Sequence, residues 1–150
     1  MEQIIFDSGI KEYQINKGGV LRFNPSDPNV YERFTGAINK IRAVEQEMAA
    51  KAKILEDKNS GNSGAEALKI MREADQKMKK ILNEIYGGEN DFDALLENVN
   101  LMAVATNGER VVVNLLEALK PIMEEGAKAC VSQQVSEAKL NREQRRATQR

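Results

Sequence analysis

The feature that most restricts this chain is one long apolar stripe that begins directly behind a strand, a stop and a cap. Within residues 20–56, VLRFNPSDPNVYERFTGAINKIRAVEQEMAAKAKILE, the side chains of Val30, Phe34, Ile38, Ile41, Val44, Met48 and Leu55 fall three or four apart, or at a multiple that keeps one face. Spacing of that kind, sustained over so many turns, specifies an amphipathic α-helix. Its start is marked as well. Val20, Leu21 and Phe23 are strand formers, and Asn24-Pro25 stops them. Ser26 or Asp27 can then accept from the unpaired N–H groups of the first turn, and Pro28 suits a position that needs no amide hydrogen. A helix this long with one apolar face has to be covered, so the rest of the chain must supply what covers it.

Upstream, Gln3 to Phe6 is a short apolar run closed by the turn cluster Asp7-Ser8-Gly9. Glu12, Tyr13, Gln14 and Ile15 then alternate, and Asn16-Lys17-Gly18-Gly19 leads into Val20–Phe23. Two β-prone segments around a glycine pair predict a hairpin. It is too small to stand alone and should lie against the helices. Gly18-Gly19 precedes a strand and not a helix, so it lacks the setting of a phosphate loop.

Downstream, residues 58–64 have linker composition. A second helix follows from about Ala65, with Leu68, Met71, Ala74, Met78, Ile81, Leu82 and Ile85 on one face and Gly87-Gly88 as its stop. Two helices of similar length across a short linker predict an antiparallel pair. Asn90 or Asp91 should cap a third helix on which Phe92, Leu95, Leu96, Val99 and Met102 share a face. A fourth should begin near Glu109 and absorb Val111-Val112-Val113, with Pro121 kinking or splitting it and Gly126 closing the compact part. The expected fold is mainly α with a small N-terminal β-hairpin: a leader over 1–25, a helical domain over 26–126 with a flexible linker at 58–64, and a basic, partly disordered tail over 127–150.

Composition limits the function classes. Of the 150 residues 41% are hydrophobic and 30% charged, which is globular; aromatics are only 5%, so the core must rest on aliphatic side chains and methionine. A net charge of −1 gives no general attraction to nucleic acid or to an anionic membrane. It conceals an asymmetry: residues 139–150 carry five basic side chains and one acidic, while residues 65–138 carry eight basic and thirteen acidic. The single cysteine, Cys130, points to a reducing compartment. The start MEQIIFDSG is too short and too acidic for a signal peptide. No apolar run approaches the roughly 20 residues of a membrane span. These readings predict a soluble, cytoplasmic protein.

Candidates for catalysis are few. The chain has no histidine, so the commonest general base and metal ligand are absent, and Cys130 has no imidazole partner. The acidic pairs Glu45/Glu47, Asp91/Asp93 and Glu124/Glu125 have no calcium-loop spacing, and Asp91/Asp93 suit a helix first turn. No catalytic residue, cofactor site or metal site is expected. Met48, Met71, Met78, Met102 and Met123 have core spacing, although methionine also lines adaptable helix-binding grooves.

The run Leu21-Arg22-Phe23-Asn24-Pro25-Ser26-Asp27-Pro28-Asn29 with Tyr31-Glu32-Arg33-Phe34 resembles the tail assembly chaperones of long-tailed phages and prophages of Gram-positive bacteria. A second block is similar: Ile85-Tyr86-Gly87-Gly88-Glu89-Asn90, a short helix, Asn107-Gly108, then Asn114-Leu115-Leu116-Glu117-Ala118-Leu119-Lys120-Pro121. The basic ending Asn141-Arg142-Glu143-Gln144-Arg145-Arg146 also resembles those of phage tail proteins. The resemblance implies a non-enzymatic chaperone that binds the tape measure protein in the host cytoplasm and is absent from the mature virion. The major tail tube protein is a second candidate partner, and a homo-oligomer is compatible. The expected partner contacts are Met71, Met78, Leu95, Leu116 and Leu119, assisted by Arg142, Arg145 and Arg146. The competing readings are a minor tail or connector component retained in the virion, and a small nucleic-acid-binding regulator working through the basic tail.

Overall fold

The computed structural model describes residues 1–58 and 63–148. Two strands, β1 (Lys11–Gln14) and β2 (Val20–Phe23), precede four helices: α1 (Pro28–Lys58), α2 (Ser63–Tyr86), α3 (Phe92–Leu95) and α4 (Val111–Thr148). The protein is mainly helical with an N-terminal hairpin, as the periodicities predict. The strands pair antiparallel with Lys11 opposite Phe23 and Gln14 opposite Val20. The loop closes through hydrogen bonds from Ile15 N–H to the Gly19 carbonyl and from Gly18 N–H to the Ile15 carbonyl. Gly18 and Gly19 are needed because α3 lies against them: a Cβ on Gly18 would fall 2.5 Å from the Leu95 carbonyl oxygen.

The segment linking β2 to α1 uses its residues one by one. Phe23 is buried, and the Asn24 side chain accepts from Ser26 N–H while donating to the Ser8 carbonyl. Asp27 caps α1 by accepting from Asn29 N–H at 2.9 Å, with Pro28 as the first helical residue.

α1 and α2 form the antiparallel pair. Their direction follows from the partners: Arg33 reaches Ile85, Glu47 reaches Lys77, and Lys51 reaches Glu73, so one number rises as the other falls. Val30, Phe34, Ala37, Ile41 and Val44 of α1 are buried with Ala74, Met78, Leu82 and Ile85 of α2. Leu68, expected on that face, is exposed, because it lies near the free end of the pair. Of the expected linker 58–64, Lys58 and residues 63–64 belong to the helices, and residues 59–62 lie outside the described residues.

At the other end of the pair, the hairpin, α3 and the first half of α4 close the core. Four rings run through it: Tyr13 stacks on Phe23 at 5.1 Å, Phe23 meets Tyr86 at 4.6 Å, and Tyr86 meets Phe92 at 5.7 Å. The Tyr86 hydroxyl donates to the Met123 sulfur at 3.8 Å, tying α2 to α4. Scarce aromatics are thus concentrated where four elements meet.

Three expectations need correction. The third helix does not run to Met102: α3 is one turn, capped by Asp91, whose carboxylate accepts from Asp93 N–H. It ends because Glu97 and Asn98 adopt φ of 53° and 64°. Asn98 N–H bonds the Asp93 carbonyl and Glu97 N–H bonds the Ala94 carbonyl, which is the Schellman pattern with glutamate where glycine is usual. Leu101 and Met102 are still buried, but from a loop. Second, of the kink or split expected at Pro121, α4 shows no split. The carbonyl that loses its amide partner is that of Glu117, and both residues are exposed, so water can satisfy it. Third, residues 127–148, read as a partly disordered tail, continue α4. Gly126 does close the compact part, as the last buried residue among those described, although the helix runs on through it; a Cβ on it would fall 1.8 Å from the Pro25 carbonyl oxygen.

Candidate partner-binding surfaces

The two sequence blocks quoted above, far apart in the chain, meet at one seam. The Asn90 side chain accepts from Arg22 N–H at 3.0 Å and donates to the Arg22 carbonyl at 2.8 Å, so it pairs with β2 as a neighbouring strand would. It also donates to the Gly87 carbonyl. Across the seam, Arg33 Nε donates to the Ile85 carbonyl at 2.8 Å. Gly87 and Gly88 supply the turn, with φ of 60° and 61° that side chains rarely adopt. A cleft of about 670 Å³ opens here, walled by Ser8, Ile10, Arg22, Asn24, Asp27, Arg33 and the turn from Gly87 to Asn90.

The polar groups of this cleft are committed to the fold. Asp27 caps a helix, Asn24 and Asn90 hold backbone, and Arg33 holds a carbonyl. Arg22 lies 3.5 Å from Glu12, but both are well exposed, so the pair contributes little. Burial pushes the Tyr86 phenol well above the usual tyrosine range, so it stays protonated and acts as a donor. The cleft is a structural joint.

A second cluster is ionic. Lys79 is buried on α2 and its ammonium reaches Asp93 at 2.6 Å and Asp75 at 3.1 Å, while Asp75 accepts from Leu101 N–H at 2.7 Å. Every member has partners, and together they fasten α3 and the 96–102 loop to α2. Its work is to place that loop. Among the described residues, no group of three or more acidic or cysteine side chains is arranged to hold a metal ion, and no helix is long and apolar enough to cross a membrane.

Apolar grooves are open at two places beside α4 among the described residues. One lies between α1 and α4, is about 220 Å³, and has Phe34, Ile38, Ile41, Val113 and Leu116 as its floor with Arg42, Glu45, Glu117 and Lys120 at the rim. The other lies between β1 and α4, is about 430 Å³, and is lined by Tyr13, Ile15, Leu21, Leu96, Val111, Leu115, Ala118, Leu119 and Ile122. Apolar grooves with charged rims fit amphipathic or extended partners.

The residues expected to bind a partner divide into three sets. Met78 and Leu95 are buried core with almost no surface to offer, and Leu119, also buried, reaches only the lining of the β1–α4 groove. The spacing that suggested a binding face is the spacing of the core itself. Met71 and Leu116 are half-buried, and only Leu116 lines a groove. Arg142, Arg145 and Arg146 are exposed on the end of α4. Arg142 lies twelve residues past Cys130, or about 18 Å along the axis. The fold therefore does not bring the apolar and basic candidates into one site. Missed from sequence were Ile38 and Ala118 as groove positions, and the exposure of the apolar run Ile4-Ile5-Phe6, whose side chains are 91%, 87% and 75% exposed. An apolar run outside any strand or helix was the available signal.

Comparison with protein families, curated proteins and solved structures finds no match to this chain.

Proposed function

We propose that this protein is a tail assembly chaperone of a long-tailed phage or prophage, acting in the bacterial cytoplasm on the tape measure protein. The observation that supports this best is the seam. The two blocks that carry the resemblance are joined through Asn90–Arg22 and Arg33–Ile85, as expected of residues that define one fold and not of two chance matches. The open grooves add a physical route. A tape measure protein is long, helical and partly apolar, and an exposed apolar stretch invites aggregation. The α1–α4 groove can cover one face of such a helix, and many copies along one partner give avidity from weak single contacts. The exposed arginines near the end of α4 add attraction to acidic segments. Coating of this kind requires no catalysis.

Co-expression with the cognate tape measure protein tests the reading. The soluble fraction of that protein should rise and the two should co-purify. Ile38→Asp and Leu116→Asp, at half-buried groove positions, should weaken the complex with helical content retained. Deleting residues 140–150 should weaken it mainly at low salt, because separated surface charges are screened beyond about 10 Å at 0.1 M. A full-length protein that neither solubilises nor retains the tape measure protein refutes the proposal. Recovery of the protein from purified virions by mass spectrometry would favour a retained tail component instead.

A further inference from the structure

We infer that residues 124–142 of α4 pair antiparallel with the same stretch of a second copy of this chain, Glu124 of each meeting Arg142 of the other. The inference stands apart from the tape measure reading, because it needs only this chain.

The first observation is a stripe with two valines at its centre and a charge at each end. Glu124, Ala127, Val131, Val135, Ala138 and Arg142 fall three or four apart along α4. At about 100° per residue they share an arc of about 80°. This is not the core face prolonged, because the buried Leu119 and Met123 lie about 100° round the helix from it. Leu140 is on the opposite side and takes no part. Every member of the stripe is exposed except Ala127, which is half-buried, and the exposed Glu117 and Lys120 continue the open arc towards the body. Among the described residues, neither Glu124 nor Arg142 has an ion pair within its own chain, so both charges are available.

Charge order selects the occupant. The stripe reads acidic, apolar, basic, and it is its own complement when reversed. About a centre at Gln133, Val131 stands opposite Val135 of the other chain, Ala127 beside Ala138, and Glu124 opposite Arg142. A two-fold axis there matches both ends at once, as an isologous interface requires. A parallel pair would set like charges together at both ends. An unrelated acidic segment would answer Arg142 and leave Glu124 opposed. The geometry leaves room as well. Gly126 is the last buried residue of α4 among those described, so the overlap lies beyond the body. It is about 27 Å long, with the two bodies at its opposite ends. Alanine and valine let the helix axes approach to about 8 Å. Lys128 of one chain and Lys139 of the other flank the seam on the same side and repel, so the association is weak and reverses on dilution.

Sedimentation of the full chain tests this and should show a dimer whose fraction rises with concentration. Glu124→Arg or Arg142→Glu alone should raise the dimer dissociation constant about tenfold, because two attractions become two repulsions. Both positions are exposed, so the circular dichroism spectrum should not change. Mixed in equal amounts, the two variants should recover a dimer, since each then meets an opposite charge at both ends. Lys139→Glu should tighten the dimer by meeting Lys128 of the other chain. For the register, Ser132→Cys and Glu143→Cys are spin-labelled one at a time in a Cys130→Ser chain. In the antiparallel pair the two labels lie about 3 Å apart along the axis at position 132 and about 30 Å at position 143. A wild-type chain that stays monomeric to millimolar concentration overturns the proposal. So does a dimer indifferent to the charge variants, and so does equal label separation at the two positions, the mark of a parallel pair.

Discussion

The two halves of α4 are one helix by hydrogen bonding and two different objects by energetics. In the first half Val112, Leu119 and Met123 are buried. In the second, every described residue from Val131 to Ala147 is exposed, including Val131, Val135 and Leu140. The first half is helical because the core holds it. The second is helical because the first supplies a formed nucleus, the costly step, and because Ala, Glu, Gln, Lys, Arg and Leu then propagate it at little penalty. Helical structure and membership of the core are therefore separate properties, and a pattern of apolar residues reports only the second.

The boundary between the halves is where the largest effect is expected. Gly126→Leu should destabilise by about 3 kcal/mol or more, because the Cβ meets the Pro25 backbone, which cannot yield as a side chain would. Urea unfolding measures it, and a loss below about 1 kcal/mol would mean that α4 can shift away from the β2–α1 turn and that the boundary is soft. The next effect compares equivalent truncations on either side. Leu119→Ala should cost about 2–5 kcal/mol, as for a fully buried leucine, whereas Val135→Ala should stay within about 0.5 kcal/mol. Equal losses would break the distinction and place the second half against a partner or a second copy. Ile38→Ala, across the open groove from the first half, should fall between them at roughly 1 kcal/mol, because its side chain is half-buried and leaves no closed cavity. The smallest effect is expected from ending the chain after Ser132. The midpoint should barely move while far-UV helix signal falls, and a large drop in midpoint would show that the extension supports the body.

Much of the architecture was readable because it depends on periodicity and on end signals. The α1 stripe, the Asp27–Pro28 start, the glycine stop after Tyr86 and the Val20–Phe23 strand all follow from local chemistry. What escaped was decided by tertiary partners. Phe92, Leu95, Leu96 and Met102 read as one helical face, yet Asp75 draws Leu101 N–H to α2 and Glu97 and Asn98 turn left-handed, so the face is built from a single turn and a loop. Pro121 escaped because its cost depends on whether the released carbonyl reaches water. The partner surface was least legible. Met78, Leu95 and Leu119 have the periodicity of a binding face and of a core alike, and only burial separates these. Ala118 is an unremarkable residue made a groove position by where the hairpin lies against α4.

Asn90 has a consequence for assembly. By pairing both the N–H and the C=O of Arg22, its carboxamide imitates a strand one residue long and covers the middle of the β2 edge. The two edges of the sheet therefore differ, and on the β2 side the carboxamide stands as a terminus that an incoming strand would have to displace. Growth of the sheet into a fibre is opposed on that side. Asn90→Leu would remove that terminus, and aggregation at high concentration is the cost the carboxamide prevents.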